Sequence, residues 1–479
     1  MTMAACDMHY IGGEWIAPVE AGRVVAVISP ASETQIGTVI AGGSAEVDKA
    51  VAAARRALPA FSSTTPAERA ELLGRILALM EDRAEDFAQI ITAEMGCPIG
   101  FSRSAQVPFG LAHIRAAIEV LGRFEFSRRQ GTTMIAREAI GVCALITPWN
   151  WPLYQMTAKV APALSTGCTM VLKPSENSPF SAQLFAQVLD EADLPAGVFN
   201  MVTGTGPEVG ALLSSHVDVD MVSITGSTRA GVQVAQAAAP TVKRVTQELS
   251  GKSPNILLDD ADFARVVPLG VASAMRNAGQ SCSAPTRMLV PKRRLPEAEA
   301  LAAAAADTII VGDPRNDETV MGPLANRSQF EMVQAMIESG IAQGARLLCG
   351  GPGRPEGLER GFYTKPTIFS DVSSDMRIAR EEIFGPVLCL IPYEDEQDAI
   401  RIANDTCYGL GSHVQSADLD RARRVAMQVR AGQVHINYPA WDAHAAFGGY
   451  KQSGNGREYG SFGFEEYLET KSVLGYFPS

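Results

Sequence analysis

One thiol stands by itself on a loop of small and polar residues, Asn277-Ala278-Gly279-Gln280-Ser281-Cys282-Ser283-Ala284-Pro285-Thr286-Arg287. A helix-compatible run, Phe263 to Met275, leads in, and the apolar run Met288-Leu289-Val290 leads out. A loop held between two regular elements is where a rigid scaffold presents a reactive group. Taken singly, Cys282 also fits a small buried filler, since free cysteine is among the most buried residue types. A second chemical group follows an apolar strand pattern, in Thr147-Pro148-Trp149-Asn150-Trp151-Pro152. Ligands of open α/β sheets sit at the C-terminal ends of strands. There the neutral amide of Asn150 can donate an N–H to a developing oxyanion, or simply satisfy the turn before Pro152.

Three further stretches have the chemistry of nucleotide binding. Lys173-Pro174-Ser175-Glu176 closes another strand pattern. A carboxylate there accepts from a ribose 2′-hydroxyl and repels a 2′-phosphate, although a solvated Lys/Glu loop has the same look. Gly204-Thr205-Gly206-Pro207-Glu208-Val209-Gly210 passes from strand to helix, but with GxGxxxG spacing rather than the GxGxxG dinucleotide fingerprint. Ile224-Thr225-Gly226-Ser227 makes the same passage and can turn backbone N–H groups toward a pyrophosphate. Tight turns explain both glycine runs equally well. Three more segments have unusual composition: Glu248-Leu249-Ser250-Gly251-Lys252-Ser253-Pro254, Glu381-Glu382-Ile383-Phe384-Gly385-Pro386, and the glycine-rich, aromatic Phe447 to Gly454.

The elements that must hold these loops read as alternating strands and helices. Short apolar runs at Val142–Thr147, Thr169–Leu172, Phe199–Thr203, Met221–Thr225 and Ile256–Leu258 are separated by helical patterns. This is the βαβ signature of a parallel sheet covered on both faces. A second array follows Cys282, at Met288–Val290, Arg346–Cys349, Thr367–Phe369, Val387–Ile391, Leu410–Val414 and Gln433–Ile436. The fold class is therefore α/β, with two doubly wound domains in tandem. Before them, Ser44 is expected to cap a helix through about Leu58. Thr65-Pro66-Ala67-Glu68 forms a capping box with proline at the first helical position, opening a helix expected to run to Met95. The apolar tail, Phe462 to Tyr476, and the strand-like segment 123–140 suggest an intersubunit surface or packing within the chain.

With 479 residues the chain exceeds the size at which single cores split. Its net charge of −12 argues against nucleic acid or an anionic membrane as the main partner. No apolar run reaches membrane-span length, and no signal-peptide pattern opens the sequence, so the cytoplasm is the expected location. The eight cysteines and six histidines are scattered without metal-ligand spacing. No metal is expected, and the thiols are expected to be reduced.

Together these motifs resemble the aldehyde dehydrogenase superfamily. TPWN, KPSE, TGS, ELSGKSP, GQSC, EEIFGPV and FGGYKQSG occur in the family's order and spacing, over about residues 8 to 477. The resemblance implies an NAD-binding Rossmann-like domain (1–122 and 141–248), a catalytic domain (249–437) and a β oligomerisation arm (123–140 and 460–479). Segment 438–459 then returns to line the active-site entrance. Cys282 resembles the nucleophile, Glu248 the general base, and Asn150 the oxyanion donor together with the Cys282 backbone N–H. Thr147, Pro148, Trp149, Lys173, Ser175, Glu176, Gly206, Gly210, Thr225, Gly226, Ser227 and Leu249 resemble cofactor contacts, and Glu382 and Phe384 the group beside the nicotinamide ribose. The implied cofactor is NAD, with NADP as the alternative. The implied partners are a small-molecule aldehyde and further copies of the chain, in a homodimer or homotetramer.

Chemistry agrees with these roles. A free carbonyl does not readily expel hydride, but its thiolate adduct does, leaving a thioester for a carboxylate-activated water. The presence of Glu248 argues against the coenzyme A branch of the family, which lacks it. Substrate contacts fall to Trp151, Tyr154, Ser281, Ser283, Trp441 and Phe447, with Tyr438 as a further ring, and to Arg276. Succinate-semialdehyde members are similar in having arginine six residues before the cysteine. Their second arginine, eight after the asparagine, is Ala158 here. The expected substrate is an aldehyde carrying a carboxylate or other acceptor, with an aromatic body, unless Arg276 forms a salt bridge at the pocket rim. A semialdehyde dehydrogenase tolerant of NADP, and a non-catalytic structural member of the fold, are the alternatives.

Overall fold

The computed structural model describes residues 5–19 and 22–478. Its first large sheet has eight strands, in the order Gly454–Asn455, Arg244–Glu248, Met221–Thr225, Val142–Ile146, Thr169–Lys173, Phe199–Met201, His9–Ile11, Glu14–Ile16. The five central strands are parallel, and the edges are closed by antiparallel pairs. Val142–Ile146 and Thr169–Lys173 are buried at every position. That is why they read as unbroken apolar runs rather than alternating ones. From Val142–Ile146 the chain winds first to one side, through Thr169–Lys173, and later to the other, through Met221–Thr225. The carboxyl end of Val142–Ile146 therefore lies at a topological switch point.

The second sheet orders Arg346–Cys349, Thr367–Ser370, Val387–Tyr393, Arg287–Pro291, Pro254–Leu257, Gly411–Gln415 and Gln433–Ile436. It is parallel except at its first strand. Each large sheet has its own apolar core. A three-stranded antiparallel arm joins Ser127–Gln130, Thr133–Ala139 and Leu468–Val473. The helix Gly460–Glu466, placed by sequence in the arm, instead packs Phe464 into the first core beside Tyr467.

Two helix expectations need correction. Gly43, not Ser44, caps the helix Ser44–Ser62, because Glu46 reaches back to accept from the Gly43 N–H at 2.7 Å. The capping box at Thr65 forms, but the helix does not run on to Met95. It breaks at Arg83 into Pro66–Asp82 and Ala84–Met95. Both pieces bury their stripes, Leu72 to Met80 and Phe87 to Met95, in one core. A straight helix of about 45 Å would overshoot that core. Among the described residues, no helix is long and apolar enough to cross a membrane.

Candidate active site

At the switch point lies a cleft of about 1280 Å³. Its walls include Thr147, Pro148, Trp149, Lys173, Ser175, Glu176, Gly206, Gly210, Thr225, Gly226 and Ser227. Lys173 is buried and holds Glu176 at 3.3 Å. Desolvation lowers the Lys173 pKa. Ser227 caps the helix Thr228–Ala238, accepting from the Ala230 N–H. The Gly226 N–H, expected to face a pyrophosphate, donates to the Glu248 carbonyl at 3.0 Å. Gly226 therefore ties the cleft to the strand carrying Glu248. The cleft's size, its helix N-terminus and the Glu176 carboxylate fit a dinucleotide.

The other expected cofactor residues stand apart from this wall. Leu249 donates its N–H to Ser453 and packs against Gly231, beneath the helix rather than in the cleft. Phe384 meets Trp149 edge-on at 5.5 Å. Its carbonyl accepts from Gln329, itself a cleft residue. Glu382 accepts from the Gly251 N–H at 3.0 Å, and burial raises its pKa. Sequence reasoning missed the cleft wall at Ala325 to Gln329. Its signal was Asn326, which caps Arg327–Ala342 by accepting from the Gln329 N–H.

One loop connects the cleft to the thiol. Immediately after Trp149, Asn150 is buried, and its Nδ2 donates to the Gln280 carbonyl at 3.0 Å. Asn277 Nδ2 and Gln106 Nε2 both donate to the Asn150 carbonyl. Gln280 is locked in turn by Ala325 N, which donates to its Oε1 at 2.9 Å. Asn277, Ala278 and Gly279 are all left-handed, at φ 56°, 54° and 72°. Successive residues in that region are strained and persist only where the surroundings dictate them. Here the Gly385 carbonyl leaves no room for a side chain on Gly279, since a Cβ would lie 2.0 Å away. Sequence reasoning had left Gln106, Asn277 and Gln280 without roles.

Cys282 is half-buried. Burial pushes its thiol pKa well up, and the carboxylates of Glu382 and Glu248 push the same way. Gly251 packs so tightly on Cys282 that a Cβ would lie 2.2 Å from the Cys282 carbonyl. Glu248, at the end of Arg244–Glu248, is buried, and its Oε2 has no hydrogen-bond partner among the described residues. Burial raises its pKa first, and Glu458 second. Glu458 forms a buried ion pair with Lys159 at 2.5 Å, and Lys159 also donates to Ser223 Oγ.

Rings surround the approach to the thiol. Trp151 donates from Nε1 to Ser281 Oγ at 2.8 Å, and Phe109 stacks on Trp441 at 4.4 Å. The Tyr154 and Tyr459 hydroxyls are hydrogen-bonded to each other, and Phe447 stacks on Tyr459. Ala158, Leu410, Phe447 and Tyr459 form one cluster against which Tyr154 and Cys282 pack. Phe109, His113, Leu410 and Tyr459 were not singled out from sequence. Ser283, beside the thiol, is half-buried. Tyr438 points away: its hydroxyl accepts from Asn255 Nδ2 and donates to the Val266 carbonyl. Arg276 is exposed and makes no salt bridge among the described residues, so the rim ion pair is absent.

Fold and site together define an α/β enzyme in which a nucleotide-sized cleft and a loop thiol share one connecting loop. The sequence profile of the Aldehyde dehydrogenase family matches residues 15–473. A 3-succinoylsemialdehyde-pyridine dehydrogenase of Pseudomonas sp. is 55% identical over 98% of both chains. The crystal structure of a cysteine-to-alanine mutant of aldehyde dehydrogenase C from Pseudomonas syringae, with NAD+ and octanal, is 61% identical. It superposes with a TM-score of 0.98, covering 99% of this chain and 98% of that one. A Mycobacterium tuberculosis aldehyde dehydrogenase complexed with NAD+ is 40% identical, with a TM-score of 0.96 over 99% of each chain. The chain belongs to the aldehyde dehydrogenase family.

Proposed function

We propose that this chain oxidises an aldehyde to its carboxylic acid with NAD+, through a covalent adduct on Cys282. The observation that carries the reading is a buried Glu248, its Oε2 unpartnered among the described residues, whose charge reaches the thiol of Cys282 on a loop bonded to Asn150. A bound dinucleotide supplies the hydride acceptor. Cys282 Sγ bonds to the aldehyde carbon, and its proton passes to Glu248, whose raised pKa makes it a stronger base than an ordinary carboxylate. The free N–H of Asn150 and the Cys282 backbone N–H stabilise the oxyanion, an effect of about 3 kcal/mol. Collapse of the adduct releases hydride and leaves a thioester on Cys282. Glu248 releases that proton to solvent and then takes a second one from water; the hydroxide displaces the Cys282 thiolate, and the acid departs.

The expected substrate has an apolar or aromatic body, held by Phe109, Trp151, Tyr154 and Trp441, and ends in an acceptor group near Arg276. The relatives that act on a pyridine semialdehyde or hold octanal are consistent with such a body. NAD is preferred to NADP because the Glu176 carboxylate faces the cleft. The arm, with Leu474 79% and Tyr476 55% exposed, is assigned to assembly of identical copies.

Replacing Cys282 by alanine is expected to abolish NADH formation from any aldehyde, followed by absorbance. Undiminished NADH formation would discard the mechanism and favour a non-catalytic role.

A further inference from the structure

One residue of the cleft wall sits where a side chain is disfavoured. Glu33 lies in the turn between the paired strands Val24–Ile28 and Gln35–Ile40, with φ 54°. The turn is closed by the Glu33 N–H, which donates to the Ser29 carbonyl, and by the Ser29 N–H, which donates to the Thr34 carbonyl, both at 2.8 Å. Glycine is the default residue in that left-handed region. Other residues persist there only where their surroundings dictate it, and such positions gather at ligand clamps and switches.

The surroundings here are three donors from remote parts of the chain. Glu33 Oε2 accepts from Arg327 Nη2 at 2.5 Å. Oε1 accepts from Arg354 Nη2 at 3.2 Å and from the Gly361 N–H at 2.9 Å. The Glu33 side chain is only 17% exposed. Both arginines are propped by rings, Arg354 over Phe330 at 4.8 Å and Arg327 over Phe362 at 5.4 Å. Beside the carboxylate, the Phe362 N–H donates to the Pro30 carbonyl at 2.9 Å. A solitary surface ion pair contributes little. A carboxylate whose two oxygens are both filled, by two arginines and a backbone N–H, is a built joint.

The joint stands on the cofactor cleft. Glu33, Arg327 and Phe362 all line it. Arg327 is the first residue of the helix Arg327–Ala342. Two residues on, Gln329 Nε2 donates to the Ile383 and Phe384 carbonyls, at 3.1 and 2.8 Å. One helix start thus anchors both the turn of Glu33 and the segment expected beside the nicotinamide ribose. The strands flanking Glu33 form a two-stranded sheet of their own, outside both large sheets. Side-chain contacts, not pairing with a large sheet, therefore set where this turn sits.

We propose that Glu33 is a positioning residue for the cofactor: it clasps its turn to Arg327, Arg354 and Gly361 across the cleft and so slows the departure of bound NADH. The clasp rests on the cleft holding the dinucleotide.

The test follows NADH fluorescence without any aldehyde, as stopped-flow displacement of bound NADH by excess NAD+, beside the urea midpoint of each preparation. Glu33→Gln keeps the shape without the charge and should release NADH about tenfold faster. Arg327→Met should do the same, and the double variant should release it no faster than the quicker single one, because both changes open one joint. Glu33→Gly removes the carboxylate and relieves the backbone strain. It should release NADH at least as fast as Glu33→Gln, with a urea midpoint no lower. A side chain that only supports the fold would lower the midpoint and leave the release rate as in wild type, and that result overturns the clasp. If Arg327→Met speeds release while both Glu33 variants keep the wild-type rate, Arg327 grips the cofactor itself and the clasp is overturned with the cofactor reading intact. If wild type binds no NADH, both fall.

Discussion

Cys282, Glu248 and Glu176 each make a separable prediction. Glutamine at position 248 keeps the shape but cannot accept a proton. Glu248→Gln should still give a first burst of NADH, if the thiol loses its proton by another route, while steady turnover falls by about 10²–10⁴-fold. Stopped-flow absorbance would distinguish this from a variant that fails before hydride transfer. The pH dependence follows from burial. Glu248 must be unprotonated to act, and its pKa lies well above the ordinary carboxylate range. The raised pKa of Cys282 works in the same direction. Activity should therefore rise with pH and fall off on the acid side well above pH 4.5; kcat that stays flat down to pH 5 contradicts the assignment. Glu176→Gln removes the charge that opposes a 2′-phosphate. It should raise the NADP+/NAD+ ratio of kcat/KM by about tenfold, and an unchanged ratio would place cofactor choice elsewhere.

The turn Asn277–Gln280 and the loop Thr147–Pro152 act as one unit, because Asn277 donates to the Asn150 carbonyl and Asn150 donates to the Gln280 carbonyl across them. The strain of three left-handed residues is held by the packing of Gly385 against Gly279. Gly279→Ala adds a methyl group where the Gly385 carbonyl already sits, at a φ that alanine resists. Stability should drop by more than about 1 kcal/mol, read from the urea midpoint, and turnover should fall more than the folded fraction does. An alanine variant with normal activity would show that the turn does not set the position of Asn150. The motif spelling GQSC was legible in the sequence, but the left-handed geometry behind it was not. Nothing local requires Asn277 or Ala278 to be left-handed; the constraint comes from residues of a later strand connection.

At the scale of the molecule, two covered sheets account for most of the chain, and the arm is the element with least of its own core. Its strand Ser127–Gln130 is exposed at every residue, and Leu474 and Tyr476 extend beyond the pairing with Thr133–Ala139. In the assembly proposed above, this three-stranded sheet and its apolar end would meet a further copy. Leu474→Asp combined with Tyr476→Asp should shift sedimentation from an oligomer toward the monomer. A wild-type chain that sediments as a monomer contradicts the assembly reading.

Several elements were legible from the sequence because their causes are local. The buried strands Val142–Ile146 and Thr169–Lys173 are apolar at nearly every position, and the capping box at Thr65 needs only neighbours. The order of the motifs was enough to identify the family. Distant partners were not legible. Asn150 meets Gln280 across 130 residues, and Lys159 meets Glu458 across 299. The ring of Tyr459 beside Tyr154, the break at Arg83 and the stacking of His413 on His435 likewise depend on which surfaces pack together. The sequence by itself determined the α/β elements and singled out the candidate reacting groups, since propensity, capping and residue chemistry act over a few positions. Only the tertiary structure decided that Glu248 is a buried carboxylate, that Ala158 is closed off and that Arg276 makes no salt bridge among the described residues. Burial and charge pairing depend on surfaces from remote parts of the chain.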